Sequence, residues 1–167
     1  KVLLATHDLE SQQRFLREAK LASKVNHPNT VFLSDFGVLP SGQLYLCMEL
    51  LRGKSLADEL QKGPIPAKRA VQIALQIVRG LKAIHSQGIV HRDLKPANIF
   101  LVQMDSVEDF VKILDFGIAK QQGVTDGGGR KESAAPAESL LETTAGTLMG
   151  TPYYLSPEQA RGESVDA

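Results

Sequence analysis

Eight consecutive residues constrain this chain more than any other feature: His91-Arg92-Asp93-Leu94-Lys95-Pro96-Ala97-Asn98. The segment is too polar to be a core element. It nonetheless sits between two apolar stretches. From Ala67 to Ser86, the residues Val71, Ala74, Leu75, Val78, Leu81, Ala83 and Ile84 recur at helical spacing and form a broad apolar stripe. Pro64 and Pro66 introduce that helix, and Gly88 stands where a C′ glycine belongs. Ile99 to Val102 then reads as a short strand, as does Val111 to Leu114. The polar octad is therefore a helix-to-strand loop, with Asp93 and Asn98 five positions apart on it.

The elements upstream are simpler. Leu9 to Val25 predicts an amphipathic helix on the stripe Phe15, Ala19 and Ala22, ended by His27-Pro28-Asn29. Thr30 to Val38 and Gln43 to Leu50 predict a hairpin around Pro40-Ser41-Gly42. Arg52-Gly53-Lys54 reads as a break, after which Ser55 caps a short helix reaching Gln61. Residues 121–146 contain Gly127-Gly128-Gly129 with Ser, Ala, Pro and mixed charge, and read as a long loop. The glycine run follows no strand and opens no helix, so it is not a phosphate cradle. The order implies an α+β arrangement, a small sheet lobe with a helical lobe.

Composition removes several alternatives. With 167 residues, 43% apolar and 23% charged, the chain is neither disordered nor collagen-like. Nineteen basic residues against nineteen acidic ones give no electrostatic case for a nucleic-acid partner. Cys47 is the single cysteine, which excludes an internal disulfide framework and a cysteine zinc cage. A reducing, cytoplasmic setting is the default expectation. No apolar run approaches the ~20 residues of a membrane span, and no signal peptide opens the chain.

Two further motifs stand downstream. Asp115-Phe116-Gly117 follows the second short strand, where a carboxylate can hold a hard cation through oxygen. The tripeptide alone is weak, because Asp35-Phe36-Gly37 repeats it in the first hairpin; position assigns the chemistry to Asp115 and a structural role to Asp35. Gly150-Thr151-Pro152-Tyr153-Tyr154-Leu155-Ser156-Pro157-Glu158 is the third. With these motifs in register the chain resembles a eukaryotic-like protein serine/threonine kinase, and the form GTPYYLSPEQARG is most similar to the bacterial branch. The A-P-E of the family is S-P-E here.

The resemblance implies roles residue by residue. The octad matches H-R-D-L-x-x-x-N, with Asp93 as catalytic base, Lys95 neutralising charge on the moving phosphoryl group, and Asn98 as a metal ligand together with Asp115. Lys1 resembles the lysine that holds the α- and β-phosphates, and Glu18 the helix glutamate that pairs with it. Met48 resembles the residue gating the nucleotide pocket, Glu49 and Leu51 offer backbone groups to adenine, and Phe100 floors the pocket. Arg92 is placed to pair with a phosphate on the segment 115–158, with Thr143, Thr144 and Thr147 as candidate acceptors. Thr151 and Glu158 belong to the substrate platform. ATP, with Mg²⁺ or Mn²⁺, is implied, as are protein substrates bearing serine or threonine and a homodimer for autophosphorylation in the loop.

The resemblance covers essentially the whole chain and implies a truncated two-lobe fold. Residues 1–48 are a partial small lobe, 49–53 a hinge and 54–167 a partial large lobe. A glycine-rich loop is expected upstream of Lys1 and further helices beyond Ala167. The 167 residues alone are expected to be inactive, with apolar helical surfaces exposed. A pseudokinase and a small-molecule phosphotransferase are the competing readings. Asp93, Asn98 and Asp115 argue against the first, and the segment Gly150 to Glu158 against the second.

Overall fold

A computed structural model describes residues 2–5, 8–104, 107–114, 154–161 and 163–166. The architecture is α+β. One antiparallel sheet carries β1 (Val2–Ala5), β2 (Leu33–Val38) and β3 (Gln43–Met48) in the order β1-β3-β2. The other carries β4 (Gly53–Ser55), β5 (Ile99–Met104) and β6 (Val107–Ile113) in sequence order. Helices α1 (Leu9–Ala22), α2 (Leu56–Leu60) and α3 (Ala67–His85) precede or separate the strands, and α4 (Pro157–Ala160) comes last.

Local chemistry accounts for the element ends. Asp8 caps α1 by accepting from the backbone N–H groups of Glu10 and Ser11. The helix stops at Ala22, three residues short of the expected Val25, and Val25 is buried beyond its end. Ser55 and Asp58 form a reciprocal capping box at α2. The β2–β3 turn closes with Leu39 N–H donating to Gln43 O and Gly42 at φ 80°. Asp35 lies in β2 and accepts from the Tyr45 hydroxyl at 3.1 Å, in keeping with a structural role.

One expected break is a strand. Gly53 pairs with Val102 in β4, at φ 153°, and a Cβ there would collide with Leu101 O. A glycine that punctuates sequence can equally mark close approach of another strand's backbone.

The apolar stripe of α3 also divides differently from expectation. Ile73, Gly80 and Ile84 are its buried residues, whereas Val71, Leu75 and Val78 are 58, 52 and 62% exposed. The helix packs on β6, with Gly80 against Ile113. Periodicity marks an apolar arc but cannot say which part of a wide arc meets the sheet.

One core joins both sheets. Phe15 and Ala19 of α1, Leu44 and Leu46 of β3, Ile84 of α3 and Ile113 of β6 all belong to it. The buried connection through Asn29, Thr30 and Val31 passes between the two sheets. Val31 N–H donates to Ile113 O and Ile113 N–H to Asn29 O, both at 2.9 Å. Asn29 Nδ2 also reaches Val111 O at 2.9 Å and Gln76 Oε1 at 3.2 Å, and Gln76 Oε1 accepts from Val111 N–H. Backbone groups that two packed elements would otherwise leave buried and unpaired are thereby satisfied.

A charge cluster fastens the other end of this layer. Glu59 of α2 accepts from Lys54 and Arg69 at 2.6 Å and from Lys62 at 3.0 Å. Arg69 of α3 grips Asp109 of β6 with two bonds of 2.6 and 2.7 Å. The three cations, Lys54 first, hold the Glu59 carboxyl down to about 2 from its ordinary 4.5. Arg69 likewise lowers Asp109. A depressed folded-state pKa adds stability that is complete above the unfolded value and lost as pH falls through the folded one. Arg69→Met is therefore expected to lower the thermal midpoint at pH 7 by roughly 5 °C. The gap from wild type should narrow between pH 4.5 and 2, as calorimetry at several pH values would show. An equal gap at every pH would count against it.

Candidate active site

The polar octad connects α3 to β5, and its backbone is fixed before its side chains are considered. His91 is buried, and its Nδ1 accepts from Asp93 N–H at 3.3 Å. That bond leaves Nε2 as the protonated nitrogen, donating to Leu114 O at 2.9 Å. Leu114 N–H in turn donates to Asn98 O at 2.9 Å. Both backbone groups of Leu114, the residue before Asp115, are thus bonded to the loop. The sequence reading gave His91 no role. Its signal was an imidazole opening a motif whose later members carry the chemistry.

The side chains then converge. Asp93 Oδ2 receives Lys95 Nζ at 3.1 Å and Asn98 Nδ2 at 3.0 Å. Asn98 Nδ2 also donates to Asp93 O at 2.8 Å. A turn of 3-10 helix, Pro96–Asn98, with Asn98 N–H donating to Lys95 O, folds the five-residue spacing back so that these groups meet. Asp93 is held in one orientation by a cation and an amide. The Asn98 amide donates through its nitrogen to Asp93, so its oxygen is the atom available to a hard cation. That donor chemistry fits a magnesium ligand.

Glu18 is half-buried on α1, and burial raises its pKa while Arg92 and Arg14 oppose the rise. Met48 ends β3 and Leu51 follows it, both packed against the core; Phe100 lies in β5 opposite Lys112. Glu49 departs in detail from expectation. Its N–H donates to Phe32 O at 3.1 Å, so only its carbonyl is left to meet a ligand through the backbone. Its side chain accepts from Phe32 N–H and from Lys112 Nζ, each at 2.7 Å. Glu49 is therefore tied to β6, a link with no local sequence signal.

Arg92 is exposed and adopts φ 59°, a left-handed conformation uncommon for a residue with a Cβ. Glu158 lies in α4, its carboxyl lowered by its own backbone N–H and by Ser156. Lys1, Asp115, Thr143, Thr144, Thr147 and Thr151 lie outside the described residues. Among the described residues no helix is long and apolar enough to cross a membrane.

A helix-to-strand loop that clusters Asp, Lys and Asn beside a strand leading to Asp115 is the arrangement of a protein kinase. The chain belongs to that family: the protein kinase domain model matches residues 1–167. Among its curated relatives are the serine/threonine-protein kinases pkn3 and pkn2 of Myxococcus xanthus, each 44% identical over 95 and 96% of this chain. PknB of Mycobacterium tuberculosis strain H37Rv is 42% identical over 92%. The chain spans 27, 18 and 22% of those three proteins' lengths. A crystal structure of Rad53 with AMP-PNP superposes with a TM-score of 0.58 at 38% identity, over 64% of this chain and 28% of that one.

Proposed function

We propose that this chain supplies the catalytic loop and hinge of an ATP-dependent kinase that phosphorylates serine and threonine on proteins. One observation carries the reading: Asp93 Oδ2 is held by Lys95 Nζ and Asn98 Nδ2 at 3.1 and 3.0 Å. The names of the curated relatives support the substrate class, and the AMP-PNP in the Rad53 structure supports an adenine nucleotide.

ATP with a divalent cation supplies the phosphoryl group and neutralises charge on the phosphates. The chain's own residues do the rest. Asn98, through Oδ1, and Asp115 would hold the cation. Asp93 accepts a hydrogen bond from the attacking hydroxyl and takes its proton as the new P–O bond forms and the bond from the γ-phosphorus to the bridging oxygen breaks, that oxygen leaving on ADP. Lys95 stands on the same carboxylate and offers positive charge where the oxygens of the moving group gather it. Met48, Leu51, Phe100 and the Glu49 carbonyl would bind the base, and Lys1, paired with Glu18, would hold the phosphates. Residues 1–48, 49–53 and 54–167 act as small-lobe, hinge and large-lobe portions. Thr151 and Glu158 shape the acceptor platform.

The test is label transfer by the full-length protein that contains this chain, using γ-labelled ATP and an acceptor protein. Transfer is expected with magnesium, lost with EDTA and restored by excess Mg²⁺ or Mn²⁺. Transfer insensitive to EDTA, or absent throughout, would overturn the reading. The cation of Arg92, which a phosphate on the segment 115–158 could pair with, also supports autophosphorylation between two copies, with Thr143, Thr144 and Thr147 as acceptors. Mass spectrometry of active protein should find phosphate there; none on those threonines would sink this assignment.

A further inference from the structure

We propose that Gln159 is a positioning residue for the catalytic loop, fixing the peptide unit that enters Asp93. This rests on the reading of Asp93 as catalytic base. Gln159 Nε2 donates to Arg92 O at 2.7 Å, a contact across 67 positions of sequence. The same Arg92–Asp93 peptide is held at its other end, where Asp93 N–H donates to His91 O at 2.8 Å. A peptide plane bonded at both its oxygen and its nitrogen cannot rotate without breaking one bond. Its orientation sets the direction in which the Asp93 side chain leaves the backbone. The need for such a clamp is visible at Arg92, whose φ of 59° is disfavoured for an L-residue and persists only where its surroundings impose it.

Gln159 is itself well held. Its Oε1 accepts from Ser156 N–H at 3.1 Å and its N–H donates to Ser156 Oγ at 3.3 Å, completing the capping box of α4. With oxygen and backbone committed to the cap, the amide nitrogen is the group directed at Arg92. The platform residues around Glu158 are thereby coupled to the loop that carries Asp93. A change in where α4 sits is read by the catalytic carboxylate through one hydrogen bond.

Two substitutions in the full-length protein separate the cap from the clamp. Gln159→Glu keeps an oxygen for Ser156 N–H but turns the donor at Arg92 O into an acceptor. Ser156→Ala removes the hydroxyl from the cap and leaves the Gln159 amide intact. Gln159→Glu is expected to lower kcat at least about tenfold, with KM for ATP within twofold. It should also speed hydrogen–deuterium exchange across residues 91–98. Ser156→Ala should leave kcat and that exchange within twofold of wild type. A Gln159→Glu enzyme indistinguishable from wild type, or equal losses in both variants, would overturn the proposal. If the wild-type protein transfers no phosphate, the functional reading fails by itself. Exchange across 91–98 then still decides the clamp: faster in Gln159→Glu upholds it, unchanged overturns it.

Discussion

Asp93→Asn in the full-length protein is expected to lower kcat for protein phosphorylation by ~10²–10⁴, the range for a positioned general base. That corresponds to ~3–5 kcal/mol of transition-state stabilisation. The substitution is nearly isosteric. The Oδ atom that meets Lys95 and Asn98 can still accept from both, so the loop should keep its shape. What is lost is the capacity to take a proton from the acceptor hydroxyl. KM for ATP should stay within about threefold, since no nucleotide contact is assigned to Asp93. The thermal midpoint should move by no more than ~2 °C, because a partly exposed ion pair contributes little. Steady-state kinetics with calorimetry would check this. A kcat within a few-fold of wild type would mean that another group accepts the proton.

The second large effect is on stability. Gly80 faces β6, and a Cβ there would stand 2.7 Å from Ile113 Cδ1 and 2.9 Å from Asn29 O. The isoleucine end can swing aside, but the Asn29 carbonyl cannot, since it accepts from Ile113 N–H. Gly80→Val therefore has to push α3 away from the layer that joins the two sheets. Overpacking of this kind costs about 3 kcal/mol, more than the gain in helix propensity on losing glycine returns. Against a typical stability of ~5–15 kcal/mol that is a large loss. Urea unfolding should show the midpoint falling with little change in slope. An unchanged midpoint would mean that α3 has room at this contact.

The catalytic loop was legible because its chemistry is dense: Asp93, Lys95 and Asn98 lie within six residues, and a short loop has to bring them together. Helices α1 and α3 were legible from periodicity and from the prolines around residue 65, and α2 from Ser55, whereas α4 was not read as a helix. Links made across the fold were not. Gln159 meets Arg92, Lys112 meets Glu49, and Gln76 meets Asn29 through contacts that no local spacing encodes. Gly53 and Gly80 show the same limit. In sequence Gly53 reads as a break and Gly80 carries no signal, yet each marks a place where another segment comes too close for a side chain. Val71, Leu75 and Val78 show it in reverse, because hydrophobicity gave them a face but not a neighbour.

The central claim is that the loop around Asp93 moves phosphate from ATP to serine or threonine hydroxyls. Its most direct test is the chemical identity of the product. Wild-type full-length protein and Asp93→Asn would be given γ-labelled ATP, magnesium and an acceptor protein, and the labelled acceptor hydrolysed to its amino acids. Label on phosphoserine and phosphothreonine with wild type, reduced at least a hundredfold with Asp93→Asn, is the expected result. Label on phosphotyrosine, or equal label from both proteins, would contradict it.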